Sequence, residues 1–197
     1  MKNLKTGLLA ALLLLTVPFH AIADEEGSLN EEPKAWVVDK NVSVLSFTGT
    51  QTGKSFSGEF SDFEAMIILD PDNLDAASIT VTVQTGSAKT GDRQRDSALP
   101  GKDWFNEKSF PSAVFEATNV IKAPDDSFVA RGTLSLRGVS KEIDLPFSLQ
   151  IEDGTAFAEG SVQLIRSDFG VGQGEFSSGK WVGLEVDVSF MIKAIHP

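Results

Sequence analysis

The sequence predicts an all-β fold, a single antiparallel β-barrel of about eight strands with one or two short helices capping it. Apolar and polar residues alternate with period two over most of the chain, which places the apolar side chains of each strand on one face. Residues typical of tight turns separate the alternating runs. Strands with one apolar face form antiparallel sheets, since parallel strands are covered on both faces and read as continuous apolar runs.

Two groups of segments carry the strand pattern. The alternation is strongest in residues 79–84, 128–137, 142–152, 156–164 and 184–192. It is weaker, but still typical of strands, in residues 36–39, 42–50, 55–60, 65–69 and 114–120. Amphipathic strands in this number need one shared interior, which a closed barrel or a two-sheet sandwich can provide. The length of the strong strands favours the barrel.

One stretch departs from the alternation. Asp92 can cap a short helix over residues 93–99, and a second short helix is expected over residues 104–108. These helices are expected to cover one end of the barrel. Among the turns, Asp153-Gly154 is typical of a two-residue hairpin, because both residues tolerate the positive φ angles that such a turn needs.

The N-terminus predicts export. Two lysines precede an apolar run at residues 8–17, which is shorter than the roughly 20 residues of a membrane-spanning helix. Small residues at Ala21 and Ala23 predict signal cleavage between Ala23 and Asp24. We therefore expect a protein secreted to the periplasm, with no stable membrane insertion.

The predicted organisation has three parts. Residues 1–23 form the signal peptide, and residues 24–34 form an acidic leader that is poor in apolar residues and expected to be flexible. Residues 35–197 form the β-barrel domain, which has the length of one domain with a sizeable core.

Composition argues against several classes of function. The formal net charge of −11 disfavours binding to nucleic acid or to anionic membrane surfaces. The chain has no cysteine, and His196 is the only histidine after the predicted cleavage site. Catalytic triads, thiolate chemistry, transition-metal sites and cofactors are therefore not expected. A catalytic site made of two carboxylates, as in glycosidases, remains formally possible. Most acidic residues, however, fall in turns or on outward strand positions.

The inward positions mix large and small side chains. Phe128, Phe147 and Phe190 share the predicted interior with small residues such as Ala130 and Ala158. A barrel of eight strands has room for a packed core or for one small ligand. The pattern of residue sizes leaves these two alternatives equally open.

The order of several motifs resembles the YceI family of lipid-binding, polyisoprenoid-binding-like periplasmic proteins. The matching segments, in family order, are Trp36-Val37-Val38-Asp39, Phe47, Gly58-Glu59-Phe60-Ser61-Asp62-Phe63, Arg95-Asp96, Asp103-Trp104-Phe105, Phe110-Pro111-Ser112-Ala113-Val114-Phe115-Glu116, Gly132-Thr133-Leu134-Ser135-Leu136-Arg137-Gly138-Val139-Ser140-Lys141 and Arg166-Ser167-Asp168-Phe169-Gly170-Val171-Gly172. Their joint order is more specific than any single motif, and it extends over nearly the whole predicted domain.

The resemblance implies a lipocalin-like barrel whose interior holds a long apolar molecule, such as a polyisoprenoid, an isoprenoid quinone or a fatty-acid derivative. It favours a cavity over a packed core. The ligand-binding residues then expected in the barrel interior are Phe47, Phe60, Phe63, Phe115, Ala117, Phe128, Ala130, Gly132, Leu134, Phe147, Ala156, Ala158, Val162, Phe169, Val186 and Phe190.

The leading hypothesis is a periplasmic carrier of one such amphiphile, without enzymatic activity. The alternatives are an enzyme acting on such a lipid, and an interaction or stress protein with a filled barrel and no ligand. The loop at residues 170–176 resembles the branch of the family associated with membrane cytochrome b561 proteins, which implies a link to such a protein and a quinone-type ligand. The sequence is compatible with a homodimer, and it does not identify the ligand.

Overall fold

The computed structural model describes residues 35–196 of the chain. The expected signal peptide, its cleavage site between Ala23 and Asp24 and the acidic leader at residues 24–34 lie outside the described residues. Within the described range, no helix combines the length and the hydropathy that a membrane span requires.

One antiparallel sheet holds all the strands of the described chain. In chain order these are β1 (Val37–Val38), β2 (Val44–Gln51), β3 (Lys54–Phe60), β4 (Phe63–Ile68), β5 (Ser78–Gln84), β6 (Ala88–Lys89), β7 (Ser112–Lys122), β8 (Phe128–Leu136), β9 (Val139–Glu152), β10 (Thr155–Ile165) and β11 (Glu185–Ile195). One α-helix, α1 (Arg93–Ala98), lies between β6 and β7. The predicted all-β fold is confirmed.

The sheet curls into a barrel whose wall is not continuously paired beside β4. Its strand order is β4-β5-β7-β8-β9-β10-β11-β2-β3-β6, and β1 pairs with the C-terminal end of β11. The backbone N–H of Trp36 donates to the carbonyl of Ile67 at 2.8 Å, which links the chain just before β1 to β4. Because one sheet encloses one interior, the barrel is confirmed and the two-sheet sandwich is wrong.

Three hairpins use two-residue turns in which both residues have positive φ. They are Asp153-Gly154 (48° and 74°), Arg137-Gly138 (52° and 76°) and Thr52-Gly53 (49° and 77°). Turns of this kind match the right-handed twist of the strands that they join, and glycine takes the second position without steric cost. The predicted hairpin at Asp153-Gly154 is therefore confirmed.

The helical stretch is confirmed for its first half only. Asp92 caps α1, and its side chain accepts hydrogen bonds from the backbone N–H groups of Gln94 and Arg95 at 2.9 and 3.0 Å. The second helix, expected over residues 104–108, is wrong, because this segment forms a series of turns. Asn106 has a φ of 50°, a left-handed conformation that a right-handed helix cannot contain.

The buried apolar side chains form two clusters. The barrel cluster lies between β5, β7, β8 and β9 and contains Phe115, Phe128, Ala130 and Phe147 among others. The cap cluster has a buried core made of Phe47, Ala88, Phe105, Phe169 and Val171. It joins β2 and β6 to the loops that follow α1 and β10, so it closes one end of the barrel.

Candidate ligand-binding site

A cavity of about 220 Å³ lies inside the barrel. Apolar side chains from the inward faces of the strands form its wall, and Thr85 supplies the single hydroxyl. That hydroxyl donates to the backbone carbonyls of Phe110 and Pro111, at 2.9 and 3.0 Å, and is therefore already satisfied. The lining residues are Trp36, Leu45, Phe60, Phe63, Ala65, Ile67, Leu69, Ile79, Val81, Val83, Thr85, Phe105, Ala113, Phe115, Ala130, Leu134, Leu136, Ile143, Leu145, Phe147, Leu149, Ala156, Ala158, Val162, Leu164, Val188, Phe190, Ile192 and Ala194.

The cavity extends along the barrel rather than across it. Ala156 and Leu164 both line it from β10, and eight residues of strand extend over roughly 26 Å at about 3.3 Å per residue. Trp36 lines the cavity near its Ala156 end, and its indole Nε1–H donates to the carbonyl of Leu69 at 2.9 Å. A volume of this size spread over such a length suits an extended chain better than a compact molecule.

Alanines create the space for the cavity. Six of the lining residues are alanines: Ala65, Ala113, Ala130, Ala156, Ala158 and Ala194. Ala130 lines the cavity and is fully buried within the barrel cluster. Ala158 stands between Leu149 of β9 and Ile192 of β11 in the register of the sheet. A larger side chain at either position would enter the cavity.

The cap cluster marks the opposite end of the cavity. Phe60 contacts Phe47 and Phe105, with ring centroids 5.2 and 5.9 Å apart. Phe60 and Phe105 also line the cavity, so their rings form the boundary between the open interior and the packed end. The barrel is therefore part packed core and part cavity.

A buried arginine fixes the loop that covers this packed end. Arg166 is 5% exposed, and its guanidinium donates to the carbonyls of Val171, Gly172, Phe176, Val182 and Gly183 at distances of 2.5 to 3.2 Å. Burial lowers the pKa of Arg166, but an arginine keeps its charge near neutral pH. Arg166 thus holds the loop by its backbone and faces no ligand.

Ten of the sixteen predicted ligand-binding residues line the cavity. They are Phe60, Phe63, Phe115, Ala130, Leu134, Phe147, Ala156, Ala158, Val162 and Phe190. The binding role of all sixteen stays a prediction, because no ligand is present.

The other six predicted residues point inward but do not line the cavity. Phe47 and Phe169 belong to the cap cluster, and Val186 packs against it. Ala117 and Phe128 are buried in the barrel cluster. Gly132 leaves no free space, because a Cβ there would lie 2.3 Å from the carbonyl oxygen of Glu116 and 2.7 Å from the Cβ of Ala117. These six positions lie outside the cavity wall, and their ligand-binding role stays a prediction.

The remaining lining residues were not among the predicted site residues. Several of them, such as Ile79, Leu145 and Ile192, occupy inward positions of strands that the alternation predicts, so the period-two pattern already contained their signal. Thr85 and Phe105 lie outside long strands, and no periodicity indicates them.

Among residues 35–196, no group of three or more His, Cys, Asp or Glu side chains could hold a metal ion.

Fold and cavity together define the class: an antiparallel β-barrel whose capped interior contains an elongated apolar cavity. The chain belongs to the YceI-like domain family, which it matches over residues 36–194.

Known proteins of this class are similar in sequence and in structure. A UPF0312 protein of Pseudomonas aeruginosa is 37% identical over 120 residues, which cover 58% of this chain and 62% of the relative. The crystal structure of Burkholderia cenocepacia BcnA is 28% identical, with a TM-score of 0.77, covering 80% of this chain and 99% of BcnA. A polyisoprenoid binding domain from Saccharophagus degradans shares the fold at 15% identity, with a TM-score of 0.68 over 83% of this chain and 99% of that domain.

Proposed function

We propose that this protein is a periplasmic carrier that holds the tail of one long-chain amphiphile in the barrel cavity and does no chemistry on it. The ligand class is a polyisoprenoid, an isoprenoid quinone or a fatty-acid derivative. One observation carries the proposal: the elongated cavity of about 220 Å³ has an apolar wall in which the single hydroxyl is satisfied by the backbone. Such a wall can bind methylene and methyl groups and offers no free hydrogen-bond donor to a polar ligand.

The energetics support an occupied cavity. An empty apolar cavity costs about 24 cal/mol per Å³, which for this volume is on the order of 5 kcal/mol, comparable to the whole stability of many domains. Burying a tail of ten methylenes contributes about 8 kcal/mol before the costs of ordering. Binding of an apolar tail therefore removes a large penalty from the folded protein.

The comparisons support the same ligand class. The Saccharophagus domain is described as polyisoprenoid binding, and it shares the barrel that encloses the cavity here.

The periplasmic setting rests on the predicted signal peptide at residues 1–23. A link to a cytochrome b561-type protein and a homodimer stay predictions.

The absence of chemistry is part of the proposal. No carboxylate, amine or imidazole lines the cavity, so a bound tail meets no group that could act as an acid, a base or a nucleophile. A filled-barrel interaction protein fits less well, because its interior would be packed throughout.

A dye competition tests the carrier function. Protein freed of lipid by unfolding, organic extraction and refolding is titrated with N-phenyl-1-naphthylamine, an uncharged apolar dye, and then with farnesol. We expect saturable binding of one dye per chain, with displacement of the dye by farnesol. Non-saturable dye binding that farnesol does not reverse would contradict the proposal.

A further inference from the structure

The barrel wall is unpaired along one side of β4. Among the described residues, β4 has β5 as its only strand neighbour in the sheet order, and the Trp36–Ile67 bridge is the backbone link on its other side. We call the opening between residues 40–45, at the start of β2, and residues 59–64, at the corner between β3 and β4, the seam. The ammonium of Lys40 donates to the carboxylate of Glu64 across it at 3.3 Å, and both side chains are exposed.

A second, polar cavity of about 170 Å³ opens at this seam. Its polar lining residues are Lys40, Ser43, Glu59, Ser61 and Asp62. Its apolar lining includes Leu45, Phe60 and Phe63, which also line the barrel cavity. The seam pocket and the barrel cavity therefore lie next to each other, on either side of these three side chains, as the two parts of a site for an amphiphile would.

The charges of the seam pocket disfavour an anion. Lys40 is the one cationic side chain in its lining, against the carboxylates of Glu59 and Asp62, and Lys40 already pairs with Glu64. Lys89 is paired with Glu59 in the register of β3 and β6. Its positive charge offsets the negative charge of that carboxylate. Across the pocket and its immediate neighbours, negative side chains still outnumber positive ones.

The neutral groups of the pocket can serve an uncharged head group. The hydroxyl of Ser43 donates to the carbonyl of Lys193 at 3.4 Å and accepts from the backbone N–H of Lys193 at 3.1 Å, and the hydroxyl of Ser61 donates to the carbonyl of Ser87 at 3.4 Å. Each hydroxyl oxygen keeps a free lone pair, so both can still accept a hydrogen bond from a ligand hydroxyl.

From the adjacency of the two cavities and this charge balance, we propose that the seam pocket holds the polar head of the bound amphiphile and selects an uncharged head over a phosphate or carboxylate head. This inference rests on the proposed carrier function. It adds that the polar head of the ligand lies at the seam, and that the protein binds lipids with uncharged heads in preference to anionic ones.

The experiment compares two ligands with the same tail. Farnesol and farnesyl phosphate compete against N-phenyl-1-naphthylamine on lipid-free protein at low ionic strength, where surface charges are least screened. We expect farnesol to displace the dye at a concentration about tenfold lower than farnesyl phosphate does. The double variant Glu59→Gln/Asp62→Asn should narrow this ratio to about threefold or less, through tighter binding of the phosphate.

A matched control removes two carboxylates elsewhere. Glu142 and Glu152 are exposed residues of β9, far from the seam in the strand order, so Glu142→Gln/Glu152→Gln changes the net charge equally and should keep the parent ratio. Equal displacement by both ligands, or an unchanged ratio in the Glu59/Asp62 variant, would overturn the seam proposal and leave the carrier function standing. Displacement by neither ligand would overturn both.

Discussion

The small inward residues of the barrel have two different structural roles. Ala130 and Ala158 line the cavity, so their size leaves room beside them. Gly132 and Gly160 instead allow close packing: a Cβ on Gly160 would lie 2.4 Å from the carbonyl oxygen of Pro146 and 2.7 Å from the ring of Phe190. Residue size alone therefore does not indicate where the barrel is open.

Substitution of the two alanines separates a ligand cavity from a packed core. We expect Ala158→Phe and Ala130→Phe to keep the fold and to weaken dye and farnesol binding by about tenfold or more, because the ring occupies the space of the tail. If the interior were fully packed, the same ring would cost about 1–3 kcal/mol of stability. Thermal melts of the lipid-free variants, paired with dye titrations, measure both effects.

The control places the same ring on the outer face. Glu159 is exposed and adjacent to Ala158 on β10, so Glu159→Phe should bind dye as the parent does. A variant Ala158→Phe that melts much earlier than its parent yet binds the dye equally well would rule out a cavity at that position.

The sequence could predict which face of a strand each residue occupies, but not its depth along the barrel. Phe47 and Phe147 both point inward on alternating strands, yet the first packs in the cap cluster and the second lines the cavity. Depth depends on the tilt of the strands and the stagger of their register, which arise from pairings between distant segments. A period-two pattern contains no information about either.

At the level of elements, the loop between β10 and β11 is held by one side chain. Arg166 bonds to five backbone carbonyls of this loop and also lies over the ring of Trp104, with its guanidinium carbon 5.4 Å from the ring centroid. Without the guanidinium, several buried carbonyls would lose their donors at once. The loop and the cap cluster beneath it thus depend on Arg166.

Removal of this guanidinium should be costly. We expect Arg166→Met to lower the free energy of unfolding by about 3 kcal/mol or more, measured by urea denaturation. Arg131→Met is the control: Arg131 is exposed on β8 and pairs with Asp144 at 3.4 Å, and a surface pair of this kind contributes about 0–1 kcal/mol. Similar losses in the two variants would refute the role assigned to Arg166.

Elements with a strong local signal were predictable, and those fixed by tertiary contacts were not. The cap of α1 at Asp92 and the hairpin at Asp153-Gly154 were found because their chemistry is local. β6 was missed because it has two residues, too few for any alternation, and exists through its pairing with β3. The predicted helix at residues 104–108 is replaced by turns around the left-handed Asn106.

The whole molecule is a barrel closed by packing at one end and hollow along much of its length. The cap cluster and the Arg166 loop close one end, whereas the seam interrupts the wall beside β4. A fold of this kind combines the stability of a packed core with an interior that a tail can fill. The overall barrel was predictable from alternation, but its division into packed and hollow parts was not.

Native mass spectrometry of the protein, isolated without detergent from the cells that make it, is the most direct test of lipid carriage. We expect a species heavier than the chain by the mass of one lipid, which is released on denaturation and extracts into organic solvent. The denatured chain should have the mass of a polypeptide that begins at Asp24. A preparation that contains only the bare chain, with nothing extractable, would contradict the claim that the barrel carries a lipid.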